Sequence, residues 1–403
     1  MRYRQLFVGI DVSKLKHDIA IVNEQKQVVH KPLVIRENRE DYQRLLDKLN
    51  WLRQKFATKI FFIGMEATSD YWKNIYHFLK KLSPDFRLTV INPFQTKKFA
   101  QSELRRAKTD PVNAKDIALF MVEKKPKPSI DRAPIFDHIK DLDRQIHLLV
   151  KQQTMAQNKL RLELAKVAPE IEHATRTLAG QQFLAWLEKF PTAEAMANAS
   201  LKDLCAVRYG KRQRSLPFDR AQKMQNLATN SIAHKSGAGA GYVVQSLVRQ
   251  ILQYQQEIQH LKQQMLELYA QVNDQDSLLT TITGISKEAA VVLEAYIGDV
   301  NRFPDAKKMV AYFGMNPVIN QSGKQTQRTS YLEKKGSGVV RHKLYMAMLQ
   351  IVRLKEGALY KYYARLVARG KPKLVAIAAA MRKLLVIIYA MLKNHRPFDP
   401  KCT

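Results

Sequence analysis

The sequence predicts a mixed α/β domain over about residues 1–128, a central coiled coil of long helices with a helical insertion over 129–275, and a mainly α domain over 276–403. Three observations carry this. Short apolar runs of strand length alternate with amphipathic stretches in the first third, two long stretches in the middle step by three and four, and the last third is helical in pattern apart from one Ser-Gly turn. Alternation of strands and helices places helices on the faces of a sheet.

A chain of 403 residues, 46% of them hydrophobic, can bury two or three cores. Lys and Arg number 67 against 36 Asp and Glu, a formal charge of +31 spread along nearly the whole length. Such an excess weakens a compact state by self-repulsion and suggests a polyanionic partner, with nucleic acid the leading candidate. Only Cys205 and Cys402 are present, far apart, which argues against a disulfide framework or a cysteine zinc site and fits a reducing compartment. The apolar run after Met1-Arg2-Tyr3-Arg4 ends at Asp11, too short for a signal peptide. Leu374 to Leu392 is interrupted by Arg382 and Lys383 and reads as a buried helix. A soluble, cytoplasmic, nucleoid-associated protein is expected, with no membrane partner.

In the first domain, Leu6 to Asp11 is a strand ending in a carboxylate, Asp18 to Val22 returns, and Val28 to Ile35 is a third strand. A helix follows from about Arg39 to Phe56, with Leu45, Leu46 and Leu49 on one face. Lys59 to Glu66 is a buried-type strand, again ending in a carboxylate; Tyr71 to Leu82 is helical; Phe86 to Ile91 is a strand closing on Asn92-Pro93. Asp110-Pro111 then opens a helix in the manner of an N-cap followed by a first-turn proline. Singly, each of these acids reads as a strand end or a cap. Jointly, Asp11, Glu66 and Asp110 make the acidic cluster of a ribonuclease H-like fold. Two divalent ions held by carboxylates on rigid elements would let one activate an attacking oxygen and the other stabilise a leaving one. Gly9-Ile10-Asp11 also resembles the opening of the sugar-kinase and actin-like ATPases, but the turn Val12 to Lys16 lacks the glycines that would cradle phosphate.

Lys124-Lys125-Pro126-Lys127-Pro128 is a basic linker. Beyond it, Ile135, Ile139, Leu142, Ile146 and Leu149 form one seam, and Val244 through Val272 form another, stricter one. They suggest an antiparallel hairpin or an intermolecular coiled coil, for spacing and oligomerisation. The insertion between them, about 171–240, has Phe183, Trp186, Leu187, Phe190 and Leu204 as its expected core. It also carries Arg208, Lys211, Arg212 and Arg214 beside Tyr209 in a loop, either a solvated charge run or a nucleic-acid contact. Ser236 to Gly241 reads as a flexible joint.

The last domain opens with Leu278 to Ser286, which resembles a helix-hairpin-helix. The turn at Gly284 is either structural or a place where backbone N–H groups approach a phosphate. Helices are expected from Asp305 to Phe313, Val339 to Leu354, Leu359 to Val367 and Leu374 to Leu392. Val318 to Thr326 reads as a short β-hairpin with Ser322-Gly323 at its tip. Lys324, Arg328, Arg341 and Lys343 are further candidate nucleic-acid contacts.

In order, Gly9-Ile10-Asp11-Val12-Ser13-Lys14, Met65-Glu66-Ala67-Thr68, Asn92-Pro93, Lys108-Thr109-Asp110, Thr283-Gly284-Ile285, Arg302-Phe303, Ala311 to Pro317 and Gln321-Ser322-Gly323 resemble the insertion-sequence transposases with a RuvC-like DEDD domain. These are bridge-RNA-guided serine recombinases, relatives of the pilin-gene invertases. The resemblance implies a RuvC-like first domain in which Asp11, Glu66 and Asp110 bind Mg²⁺, two ions being expected. It implies a catalytic Ser322 that forms a phosphoserine link to DNA. It further implies a structured guide RNA, donor and target DNA, and a homo-oligomer, dimer to tetramer, in which the acidic domain of one subunit meets the serine domain of another.

One position departs from the family. Its fourth acid stands three residues after Asp110, and here that residue is Asn113. Asp116 lies about 240° beyond Asp110 and roughly 9 Å along the helix, an awkward substitute. Three accounts stay open: Asn113 coordinates through its carbonyl, Asp116 takes over, or the site is impaired. Besides a recombinase, a junction-resolving metal nuclease and a non-catalytic scaffold are compatible with these residues.

Overall fold

A computed structural model of the chain describes residues 3–102, 110–129, 134–174, 180–210, 212–273, 275–319, 330–332 and 336–400. Two compact units divide a few residues after the basic linker, Met1–Asp131 and Arg132–Thr403; the second holds both the middle and the last stretches of the sequence reading.

The first unit is a mixed α/β sheet. Its elements are β1 (Gln5–Val12), β2 (Lys16–Asn23), β3 (Val28–Arg36), α1 (Arg39–Phe56), β4 (Ile60–Glu66), α2 (Trp72–Leu82), β5 (Phe86–Ile91), α3 (Pro93–Ser102) and α4 (Asp110–Lys124). The sheet order is β3-β2-β1-β4-β5. β1 pairs antiparallel with β2, which pairs antiparallel with β3, while β1, β4 and β5 run parallel. The sequence reading has no counterpart of α3: after Asn92, whose side chain accepts from the Phe94 N–H at 2.9 Å, the chain turns straight into a helix.

Alternation along each strand sorts side chains between two layers. Leu6, Val8 and Ile10 of β1, with Phe61, Ile63 and Met65 of β4, join the core that includes Leu45 and Leu49 of α1 and Ile75 and Leu79 of α2. The intervening residues belong to the other face, where Phe7 packs with Ile117, Ala118 and Met121 of α4. Gly9 lies on that face. A Cβ there would meet the Ala114 carbonyl oxygen at 2.1 Å and the Ala118 nitrogen at 2.4 Å. Its register neighbour Gly64 would place a Cβ 2.6 Å from Met121. The two glycines thus open a slot in which α4 lies backbone to backbone on the sheet.

The second unit is almost entirely helical. The arms α5 (Pro134–Val167) and α11 (Gly237–Ala270) flank an insertion of α6 (Pro169–Ala174), α7 (Gln181–Lys189), α8 (Ala193–Asn198), α9 (Leu201–Ala206) and α10 (Phe218–Thr229). The arms pack on each other antiparallel within the chain: Ile139 meets Met265 and Tyr269, Ile146 and Leu149 meet Ile258, and Leu160 and Leu164 share a core with Val244 and Val248. The insertion core holds Phe183, Trp186, Leu187 and Leu204 buried, Phe190 partly so, and the Trp186 Nε1–H donates to the Leu204 carbonyl at 3.0 Å. The expected flexible joint is corrected. Residues Gly237 to Gly241 are the first turn and more of α11, and Gly241 is buried where a Cβ would press on the Pro191 ring at 2.9 Å.

The chain closes with α12 (Lys287–Ile297), α13 (Ala306–Tyr312), the strands β6 (Pro317–Ile319) and β7 (Ser330–Leu332), then α14 (Gly338–Leu354), α15 (Gly357–Ala368) and α16 (Lys373–Asn394). α16 is long and apolar enough to cross a membrane by length and composition. Its inner face, including Ala380, Leu384, Leu385 and Ile388, is fully buried in this unit's core.

Candidate active site

The strand parity that seats α4 also fixes two carboxylates. Asp11 follows Ile10 in β1 and Glu66 follows Met65 in β4, and Ile10 and Met65 are register partners in parallel strands. Both acids therefore stand at the same end of neighbouring strands, on the α4 face, and both are half-buried. The glycine slot brings the first turns of α4 to this corner. Ala114 and Ala118 rest on Gly9, and one step earlier the Asn113 amide donates from Nδ2 to Asp11 Oδ2 at 3.1 Å. Asp110 is the first described residue of α4, one turn before Asn113; its side chain lies outside the described residues.

Glu66 is held from two sides. The Thr96 hydroxyl of α3 donates to Glu66 Oε1, and the Thr68 hydroxyl to Oε2 at 3.3 Å. Thr96 is buried and its hydroxyl also lies 3.0 Å from the Pro93 carbonyl. Sequence reasoning missed Thr96, because nothing in a Thr three residues into a helix signals a carboxylate thirty residues upstream. It also missed Asp18, the antiparallel register partner of Asp11. Directly opposed residues share a face, so Asp18 is a third acid beside the corner, 3% exposed, with the Lys16 ammonium at 3.5 Å. Hairpin register was the signal that could have found it, since the Ser13 to Lys16 turn fixes the pairing. Asp116 points inward, 7% exposed.

Hard oxygen donors at neighbouring strand ends suit a divalent cation that prefers carboxylates. Among the described residues no three His, Cys, Asp or Glu side chains come together as a metal cluster, so a third carboxylate from Asp110 would be needed to complete one.

The remaining candidates scatter over the second unit. Arg208, Arg212 and Arg214 are exposed around a tight turn closed by paired Tyr209 and Arg214 backbones at 3.0 Å; Lys211 lies outside the described residues. Gly284 adopts φ +93°, and on its open side α14 approaches so closely that a Cβ would meet the Ala347 carbonyl at 3.0 Å. That turn is shaped by packing against α14. Arg341 donates from Nη1 to the Phe313 and Gly336 carbonyls, each at 3.1 Å, and Lys343 pairs with buried Asp143 at 2.8 Å. Both cations have structural partners. β6 and β7 pair antiparallel, Ile319 opposite Ser330, so the described returning strand lies beyond the expected stretch ending at Thr326. Ser322, Lys324 and Arg328 lie outside the described residues.

A transposase family model matches residues 8–169, and the model of the IS116/IS110/IS902 transposase family matches residues 276–364. A pilin gene-inverting protein of Moraxella bovis is 23% identical over 396 residues, covering 98% of each chain. An uncharacterized 44.8 kDa protein of insertion element IS116 from Streptomyces clavuligerus is 21% identical over 294 residues, 73% of each chain. A solved structure of T. thermophilus RuvC in complex with Holliday junction substrate aligns with 31% of this chain and 99% of its own, at 12% identity and a TM-score of 0.24, a likeness too slight to carry weight. With both transposase regions matched in order on one chain, and a relative aligned over nearly its full length, the chain belongs to the insertion-sequence transposase and recombinase family.

Proposed function

We propose that the chain is a Mg²⁺-dependent DNA recombinase guided by a structured bridge RNA, with a ribonuclease H-like first domain and Ser322 as nucleophile. Family membership itself gives a role in DNA transposition or recombination. The observation that supports the metal-dependent part of this reading is the corner of Asp11, Glu66 and Asn113, built by strand register and the glycine slot; the guide RNA and Ser322 rest on the family resemblance. The sheet order β3-β2-β1-β4-β5 supports the ribonuclease H-like assignment.

Asp11, Glu66 and Asp110 would hold the metal, which when bound supplies Lewis acidity to a phosphate oxygen and eases deprotonation of an attacking hydroxyl. The protein's own groups do the rest. Thr96 and Thr68 fix the Glu66 carboxylate, and Asn113 fixes that of Asp11, so that neither reorganises as charge develops. The Ser322 oxygen attacks phosphorus; a serine–phosphorus bond forms as one strand's phosphorus–oxygen bond breaks, the serine proton departs and the leaving oxygen takes one up. One phosphoester replaces another, so the link keeps the bond energy for rejoining. Arg208, Lys211, Arg212, Arg214, Lys324 and Arg328 would contact phosphates. A homo-oligomer, dimer to tetramer, brings the acidic unit of one subunit to the serine of another.

The test is capture of the covalent step. Protein, RNA transcribed from the DNA flanking its gene, and matching donor and target DNA are incubated with Mg²⁺ and resolved under denaturing conditions. A protein–DNA adduct absent in Ser322→Ala is expected. An adduct surviving that change would remove the serine assignment, and cleavage without any adduct would favour the junction-resolving nuclease.

A further inference from the structure

From Gly338 to Asn394 the chain carries twelve Lys and Arg and a single acid, Glu356. Two of the cations, Arg341 and Lys343, have the structural partners described above. Six others, Lys361, Arg365, Arg369, Lys371, Lys373 and Arg382, are exposed, and none has an acidic partner among the described residues. Surfaces that only solvate a fold intersperse both signs; this one does not.

The backbone under these cations is firm. Leu359 and Tyr363 anchor α15, and Ala376, Ile377 and Ala380 anchor the start of α16, all in the core of the second unit. Lys361, Arg365 and Arg369 step by four along one ridge, about 6 Å apart along the helix axis, a spacing on the scale of successive phosphates on one strand. Gly370, at φ +79° with open space around it, then turns the chain into Lys371-Pro372-Lys373. The Tyr362 ring takes the Arg365 guanidinium at 5.4 Å and the Lys383 ammonium at 5.0 Å, so a cation of α15 and a cation of α16 meet on one ring.

We infer that this face of α15 and α16 is a docking surface for the sugar-phosphate backbone of duplex DNA. A face of single sign focuses a polyanion. No aromatic ring of α15 or α16 stands exposed among the described residues, so unpaired bases would find no platform to stack on; the surface follows a backbone. The choice of DNA rests on the recombinase reading above.

The test uses the full chain in EDTA, where no chemistry proceeds, and a short blunt DNA duplex followed by fluorescence anisotropy across a salt series. Lys361→Gln/Arg365→Gln/Arg369→Gln is compared with Lys151→Gln/Lys159→Gln/Lys189→Gln, which removes the same charge from exposed positions on α5 and α7. The first triple is expected to weaken binding and to flatten the plot of log affinity against log salt by about 2.7, three phosphate contacts at about 0.9 each; the second is expected to leave the slope near wild type. Equal losses in both triples, an unchanged slope in the first, or a loss seen only with duplex RNA of the same length would overturn the inference. Loss of strand exchange chemistry in the wild type would count against the recombinase reading alone, because binding is read without it.

Discussion

Asn113 is the residue on which the corner turns. As an amide it donates to Asp11 at 3.1 Å, at the position where the resemblance implies a fourth acid. Asn113→Asp replaces that donor with a second carboxylate facing the first, so the metal-free protein should melt lower. Added Mg²⁺ should raise its melting temperature more than it raises that of wild type, since a ligand bound only to the folded state stabilises by RT ln(1 + [L]/Kd). Equal Mg²⁺ responses in the two proteins would show that position 113 does not contribute to the site. Thr96 acts one step removed. Thr96→Val keeps the shape but frees Glu66 Oε1, and partners of ligating carboxylates typically change metal affinity about 10–100-fold; isothermal titration with Mg²⁺ or Mn²⁺ reads this directly. Asp11 and Glu66 were legible because a carboxylate ending an apolar run stands out in sequence. Thr96 and Asp18 were not, because what places them is pairing and packing between segments rather than a local pattern.

On the scale of elements, α4 is held where it is by two missing side chains. Gly9→Ala pushes a methyl into the Ala114 carbonyl, backbone that cannot step aside. Overpacking of this kind costs about 1–3 kcal/mol or more, and the displaced helix carries Asn113 and Asp110 away from the strand ends. Thermal denaturation should show the destabilisation, and Mg²⁺ stabilisation should fall with it; a Gly9→Ala protein of normal stability and Mg²⁺ response would contradict the slot. The apolar steps of α5 and α11 predicted two arms, and their partnering within the chain follows from an insertion that returns the second beside the first. The Gly-rich start of α11 misled because the stretch continues into a helix in which Gly241 serves close packing against Pro191.

The contact of α5 with α14 is expected to respond to pH. His147 of α5 and His342 of α14 lie ring to edge with centroids 6.3 Å apart. Burial, then Lys343 and His147, push His342 below its ordinary 6.5, against a smaller upward pull from Asp143. An imidazole with a lowered folded pKa is protonated first in the unfolded chain, so stability is full above about 6.5 and declines as pH falls below it. His342→Gln should flatten the melting temperature between neutral and mildly acidic pH; an unchanged acid slope would assign the loss to other groups.

For the whole molecule, a charge of +31 carried over two compact units fits the DNA role that the family gives. The excess charge was plain in composition. Which cations are spoken for was not: Lys343 and Arg341, attractive in sequence, are tied to Asp143 and to backbone carbonyls, while the ridge on α15 emerges only once its lack of acidic neighbours is seen in three dimensions. The most direct measurement is Mg²⁺-dependent breakage of guide-matched DNA by wild type, Asp11→Asn and Glu66→Gln, with duplex binding in EDTA as the control for folding. Charge stabilisation of several kcal/mol resides in such a site, so each variant should lose at least about 100-fold in rate while binding persists. Undiminished breakage in both variants would contradict the assignment of this corner as the catalytic metal site.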